Sequence, residues 1–274
     1  MKLLVTHNTP TPHCEPMDEV DDPWLLLDTE LNAWTSISRC ATFWWRDDDA
    51  VAPGPALDRL LKISDVTGLL LAVIPERVEQ ALATRLAGSS QVYVAQHGYS
   101  HTNYAPRGQG LGAWELGLHR AEEVVLAEMD KGRCKLETMF GSAFLPVVVP
   151  PWNRIAPELQ ASLAAHGYRG ISAFGVRESH EIKDLVIANT HCDPIRWKSG
   201  ATFAGELKTI RQLVQHLQAR RTLRVEVDEA TGFLTHHIDL DSRGWEFSEH
   251  LACVIDAHPG ARWVAPDLIF KSPS

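Results

Sequence analysis

Short apolar runs of strand length alternate with segments of helical period along most of this chain, and that alternation limits its possible folds more than any other feature. Thr42 to Trp45, Gly68 to Ile74, Gln91 to Ala95, Phe144 to Val149 and Tyr168 to Phe174 read as strands, with Leu185 to Asn189 and Gly232 to His237 as further candidates. Between them, Leu118, Ala121, Val125 and Met129 recur three and four apart, as do Leu207, Ile210, Leu213, Val214 and Leu217. Each set predicts a helix that lays an apolar stripe on a sheet. The alternation predicts βα units around a parallel sheet, and 274 residues with 45% apolar content can bury its core. With no linker and no solenoid period, the expectation is one α/β domain of about seven βα repeats.

Residues 1–38, rich in Pro, Thr and acidic groups, predict a loosely held arm that ends in a short helix around Pro23 to Trp34; the regular pattern occupies 39–274. A formal net charge of −9, with no basic run beyond Arg220-Arg221, argues against nucleic acid and anionic membrane surfaces as partners. The apolar patch Leu3-Leu4-Val5 is too short for a secretory signal, and no later run could span a bilayer, so a cytoplasmic location is expected. Cys14, Cys40, Cys134, Cys192 and Cys253 are scattered without a CxxC pair, which suggests reduced thiols that fill space.

In parallel βα folds the chemistry sits in loops that leave the carboxyl ends of the strands, so polar residues there are the site candidates. FWWRDDDAVAP, residues 43–53, ends an apolar strand with Asp47, Asp48 and Asp49 side by side. Adjacent carboxylates repel, and losing water disfavours their charged form, so the run needs a cation, an arginine or solvent. QHGYSH, residues 96–101, occupies another strand exit. His97 and His101 are four apart, a spacing that on one helical turn brings both imidazoles within reach of one metal ion. Among thirteen histidines such a pair arises easily by chance, and an isolated DDD is as readily a solvated turn. Together, two His and one Asp with open positions for water form a set used for catalytic zinc and non-haem iron. In NTHCDPIRW, His191, Cys192 and Asp193 cannot chelate together from an extended segment, whose side chains alternate in direction. That segment is expected to line the groove, with Asp193 assisting.

The ordered set RDDDA (46–50), HGYSH (97–101), VPPWN (149–153) and LTHH (234–237) resembles the motif series of the polysaccharide deacetylases, carbohydrate esterase family four, in a divergent bacterial branch. The resemblance covers residues 40–270 and implies a distorted (β/α)7 barrel. It implies a metal-dependent hydrolase of C–N amide bonds, above all an N-deacetylase of an N-acylated sugar or oligosaccharide. Asp48 would be the catalytic base and His236 the general acid, with His237 pointing the opposite way if the segment is extended. Asp49, His97 and His101 would hold one divalent metal ion, zinc first, with nickel, cobalt or iron as alternatives. Trp152 would form a wall of the groove, with Pro151, Asn153 and Asp193 also binding substrate.

The chain departs from the family pattern at three points. The arginine that usually orients the base is replaced by Val149 or Pro150, leaving Arg46 or Arg154 to substitute. The triple Asp also permits an Asp47-Asp48 pair, although Ala50, a small residue, favours Asp48-Asp49. Usual members act on secreted or wall polymers, whereas no export signal is expected here. A non-sugar amide hydrolase on the same barrel, or a catalytically weak ligand-binding barrel, are the alternatives.

Overall fold

The structure, a computed structural model, describes residues 22–198 and 200–271. Most of the predicted arm, including Leu3-Leu4-Val5 and Cys14, lies outside the described residues. The elements run α1 (Pro23–Ser36), β1 (Ala41–Ala50), α2 (Pro55–Thr67), β2 (Leu69–Val73), α3 (Gln80–Leu86), β3 (Val92–His97), α4 (Glu122–Phe140) and β4 (Phe144–Val149). There follow α5 (Pro157–Leu163), β5 (Gly170–Ile171), β6 (Glu181–Ile182), β7 (Leu185–Ile187), β8 (Ile195–Arg196), β9 (Thr202–Phe203) and α6 (Glu206–Arg221). The chain ends with β10 (Thr231–Thr235), α7 (Ser242–Ala257), β11 (Ala261–Trp263) and α8 (Pro266–Ile269).

Seven of these strands form a parallel series in the order β10-β1-β2-β3-β4-β5-β7; β6 joins β7 antiparallel, and β11 pairs with β1 beside β10. The series curls back on itself. Past β7, the chain reaches β10 through the bridge between Cys192 and Phe233, where Leu234 N–H donates to Cys192 O at 2.8 Å and His191 N–H to Gly232 O at 2.7 Å. The expected α/β architecture is present, but the ladder is not continuous around the ring, and that break is its distortion.

Alternation along β1 sorts the core. Trp44 packs with Leu70, Ala72, Ala95, Val147 and Val149 on one face of the sheet, whereas Phe43 and Trp45 pack with helix residues such as Leu31, Leu57, Leu217 and Leu251 on the other. Arg46, two residues past Trp44, reaches Ser172 and Ala173 beyond β5, so the first face is the inside of the ring. Phe270 plugs this interior edge-on to Trp44, with centroids 5.8 Å apart. Gly170 admits it, since a Cβ there would lie 2.5 Å from Phe270 Cδ1. Removing a buried indole such as that of Trp44, 0% exposed, costs about 3–5 kcal/mol.

Strand β1 runs on through the Asp run, β5 is only Gly170–Ile171 and β10 ends at Thr235, and two helical stripes also start later than the sequence expectation. Helix α4 begins at Glu122, because Ala121 is extended as its N-cap, and Leu118 is exposed ahead of it; Val125, Leu126, Met129 and Leu136 carry the buried stripe. Leu207, in the first turn of α6, is also exposed, and the stripe there starts at Thr209 and Ile210. Helix α1, capped by Asp22 and started by Pro23, packs on α6, where Arg221 grips Glu30 at 2.7 and 2.9 Å and Arg220 lies over Trp34. Among the described residues, no helix is long and apolar enough to cross a membrane.

Candidate active site

The aspartate run is the last part of β1 rather than a loop after it, and an irregularity there decides which way each carboxylate points. In a regular strand Asp47 and Asp49 would share a face, with Asp48 opposite. The pairing of β1 with β2 shifts register between Asp47 and Ala50, and Asp49 takes a left-handed φ of 70°. Such a bulge re-aims side chains. Asp48 and Asp49 consequently line one cavity, while Asp47 points away from it. Asp47 Oδ1 lies 2.5 Å from His237 Nδ1, and Oδ2 accepts from Thr235 Oγ1 at 2.6 Å.

Asp48 is held by Arg46, its neighbour two residues back on the same face. Arg46 Nε is 2.9 Å from Asp48 Oδ1, and Nη2 donates to Oδ2 at 3.1 Å. Nη2 also donates to Asn153 Oδ1 at 2.6 Å, while Nη1 donates to the backbone and hydroxyl oxygens of Ser172, both at 2.8 Å. Burial pushes the guanidinium's pKa down, and the charge of Asp48 is the foremost opposing influence. A buried pair is sustained only by such added hydrogen bonds. Of the two arginines expected near the base, Arg46 is the one that contacts Asp48; Arg154 turns elsewhere, donating to Leu111 O at 2.5 Å.

His97, at the end of β3, donates from Nδ1 to Val149 O at 2.9 Å, which leaves Nε2 to face the cavity. That Nε2 is 3.2 Å from Asp49 Oδ1, and His101 Nε2 is 3.3 Å from the same oxygen. Asp49 Oδ1 is buried and accepts no hydrogen bond among the described residues. A carboxylate oxygen does not rest against imidazole lone pairs without a cation between them, either a proton or a metal. Burial opposes ionisation of Asp49, but the adjoining His97 holds its carboxyl well below the usual range. Burial lowers and Asp48 raises the His97 pKa, with a net rise, while burial and His97 push His101 down to about 4. One carboxylate and two imidazoles converging within 4.8 Å, one ring with its tautomer fixed, fit a divalent transition metal.

The two histidines do not meet on a helical turn. Residues 99 and 100 bend, Gly98 and His101 take φ of 58° and 57°, and the turn closes on the buried carboxylate of Glu115, a residue that no motif marks.

His236 enters the same cavity, of about 490 Å³, from the residue after β10, with its Nδ1 buried and unpartnered among the described residues. His237 does point away, towards Asp47, although the chain turns here instead of staying extended, with Asp239 N–H donating to His236 O at 2.9 Å. Trp197 stands edge-on to His236 at 4.6 Å and donates from Nε1 to Asp193 Oδ2 at 2.8 Å. Burial pushes the Asp193 pKa up. Trp152 and Asn153 line the cavity in left-handed conformations, φ 55° and 56°, which non-glycine residues hold only where surrounding structure compels it. The Trp152 ring leans on His101, centroids 4.4 Å apart. Pro151, expected at the substrate surface, is instead buried beside Gly98 and is absent from the lining. Phe174, the last residue of a predicted strand, and Trp197, the last of NTHCDPIRW, line the cavity without having been singled out as site residues.

A second convergence involves His191, His216 and Glu229. Gly232 N–H donates to His191 Nδ1 at 3.0 Å, so the ring proton is on Nε2, which donates to Glu229 Oε1 at 3.1 Å. His216 Nδ1 pairs with Thr231 Oγ1 at 2.9 Å, and Arg220 donates to that oxygen. His191 thus has no free lone pair for a metal, and the cluster is a hydrogen-bonded tie between β10, α6 and the segment after β7.

No sequence-family profile matches the chain, and no curated protein does. Its fold is similar to several solved structures. A candidate polysaccharide deacetylase from Mycobacterium smegmatis aligns with a TM-score of 0.61 at 14% identity, over 85% of this chain and 89% of that one. A mutant of a carbohydrate esterase family four pseudoenzyme with restored enzymatic activity aligns with a TM-score of 0.52 at 14% identity, over 85% and 68%. A peptidoglycan N-acetylglucosamine deacetylase in complex with a substituted benzamide aligns with a TM-score of 0.51 at 14% identity, over 88% and 97%. The chain has the fold of these deacetylases.

Proposed function

We propose that this chain, built on the deacetylase fold, is a metal-dependent hydrolase that removes an acyl group, acetyl first, from the nitrogen of a sugar or oligosaccharide. The observation that carries the proposal is the division of labour between adjacent carboxylates: Arg46 holds Asp48, while Asp49 faces His97 and His101 in the same cavity that His236 enters. Asp49, His97 and His101 would hold the metal, which when bound supplies Lewis acidity that polarises the acyl carbonyl and makes the attacking water more acidic. Zinc is the first choice, and nickel, cobalt or iron suit the same donors.

The remaining steps belong to the chain's own side chains. Asp48, oriented by Arg46, accepts the proton of the attacking water. His236 gives a proton to the departing nitrogen, which leaves far more readily as a neutral amine, and imidazole is the side chain that exchanges protons near neutral pH. The products are a carboxylate and a free amine, and water supplies the added atoms. Trp152, Trp197 and Phe174 offer apolar faces for the acyl methyl and the C–H face of a sugar ring. The test is amine release from N-acetylated hexosamines and their oligomers, run beside simple cyclic amides. Turnover of the sugars supports the proposal, and turnover of the cyclic amides alone overturns its substrate class in favour of a non-sugar amidohydrolase.

A further inference from the structure

We infer that Glu115 is a positioning residue for the candidate metal loop: its buried carboxylate gathers the backbone of residues 99–101 and so sets His101 opposite Asp49 and His97. The inference rests on the metal reading proposed above.

The chain leaves β3 at His97 and must bring His101 back to the same carboxylate oxygen within four residues, without a helix to order the turn. That leaves the N–H groups of Tyr99, Ser100 and His101 outside any ladder, and buried N–H groups without acceptors are strongly destabilising. Glu115 satisfies all three. Its Oε1 accepts from Tyr99 N–H at 3.2 Å, Ser100 N–H at 2.7 Å and Ser100 Oγ–H at 3.0 Å, and its Oε2 accepts from His101 N–H at 3.1 Å. Successive amides curved around an anion form a concavity that ordinarily binds a phosphate or similar group; here the chain supplies the anion itself.

The turn is shaped to close on this group. A Cβ at Gly98, where φ is 58°, would lie 2.1 Å from Glu115 Oε2 and 2.6 Å from Pro151 Cγ, so only glycine lets the backbone approach. Glu115 is itself fixed from both sides. Trp114 N–H donates to Asn103 Oδ1 at 3.0 Å, and Leu116 bridges to Ile155, with Ala156 N–H donating to Leu116 O at 2.8 Å. That bridge ties Glu115 to the chain just past Trp152 and Asn153. Glu115, 0% exposed, is not among the cavity-lining residues, so it acts on the site only through the loop.

The experiment compares metal-free wild-type protein with Glu115→Gln, each titrated with zinc by calorimetry below its melting temperature. Glutamine keeps one acceptor oxygen but turns an N–H₂ towards a backbone donor. Expected is zinc affinity lowered about 10- to 100-fold with unchanged stoichiometry, as for other residues that orient metal ligands. Amide hydrogen exchange should also accelerate at residues 99–101. Glu30→Gln, which breaks the α1–α6 pair, serves as the control: it should lower the melting temperature and leave zinc affinity unchanged. If Glu115→Gln does not fold, Ser100→Ala, which deletes the hydroxyl donor alone, should weaken zinc binding about three- to tenfold. Wild-type binding matched by the folded variant overturns the role of Glu115 alone. Wild-type protein that takes up no zinc overturns the metal reading and this inference with it.

Discussion

Arg46 reaches Asp48 from two residues back along β1, with Nε 2.9 Å from Oδ1 and both side chains buried. Strand alternation alone places them on one face, so a single strand carries both the proposed base and the arginine that holds it. Replacing Arg46 by Lys leaves a point charge where a planar fork held Asp48, Asn153 and Ser172 together. Turnover should fall about 100-fold through misplacement of Asp48, with KM little changed, and denaturant titration should show a stability loss of about 1–3 kcal/mol from the hydrogen bonds that lysine cannot replace. Unchanged kcat would remove Arg46 from the account.

The bulge at Asp49 separates the three carboxylates by consequence. Asp47→Asn weakens a buried pair with His237 and should cost about 3–5 kcal/mol in a denaturant titration while metal uptake persists. Asp49→Asn should lose metal uptake, and metal-free stability should suffer less. The reverse pattern would place the ligand at Asp47.

Asp48→Asn should retain the metal and lose turnover by about 100- to 10,000-fold, the range for a missing general base. His236→Ala should fall in the same range, with the larger loss on substrates that have a poor leaving amine. Normal turnover by Asp48→Asn on an established substrate would refute the base assignment.

The His191, His216 and Glu229 tie predicts acid lability. Burial pushes His216 down to about 4 from the ordinary 6.5, so the folded chain keeps it neutral where the unfolded chain binds a proton. The unfolded state therefore binds more protons between pH 6.5 and 4, and stability falls as pH falls through that window, by up to about 3 kcal/mol. Although burial opposes it, the hydrogen bond from His191 and the nearby His216 hold the Glu229 carboxyl below the usual range, which adds a loss at still lower pH. Unfolding midpoints measured across this range should slope steeply for wild type and flatten for His216→Gln. An identical slope in both would assign the lability elsewhere.

The βα alternation was legible because strands buried on both faces must be apolar throughout, and the motif residues were legible because each sits at a strand's carboxyl end. What escaped depended on geometry that residue identity does not encode. The triple Asp gives no sign of the bulge that turns Asp49 onto the face of Asp48. The spacing of His97 and His101 suggested a helix, whereas a turn around Glu115, fourteen residues further on, joins them. Which of Arg46 and Arg154 contacts Asp48 depends on Arg46 reaching across the ring to Ser172, which the sequence does not encode. His191 drew notice beside Cys192 and Asp193, yet its partners, His216 and Glu229, come from α6 and the approach to β10.

The central claim is that Asp49, His97 and His101 hold a divalent metal, and elemental analysis of purified wild-type protein beside His97→Ala, prepared without a metal-affinity tag, tests it most directly. The account predicts about one zinc or other divalent transition metal per wild-type chain and little in the variant. Wild-type protein that is repeatedly metal-free and takes up no added metal, or a variant that retains equal metal, would contradict it.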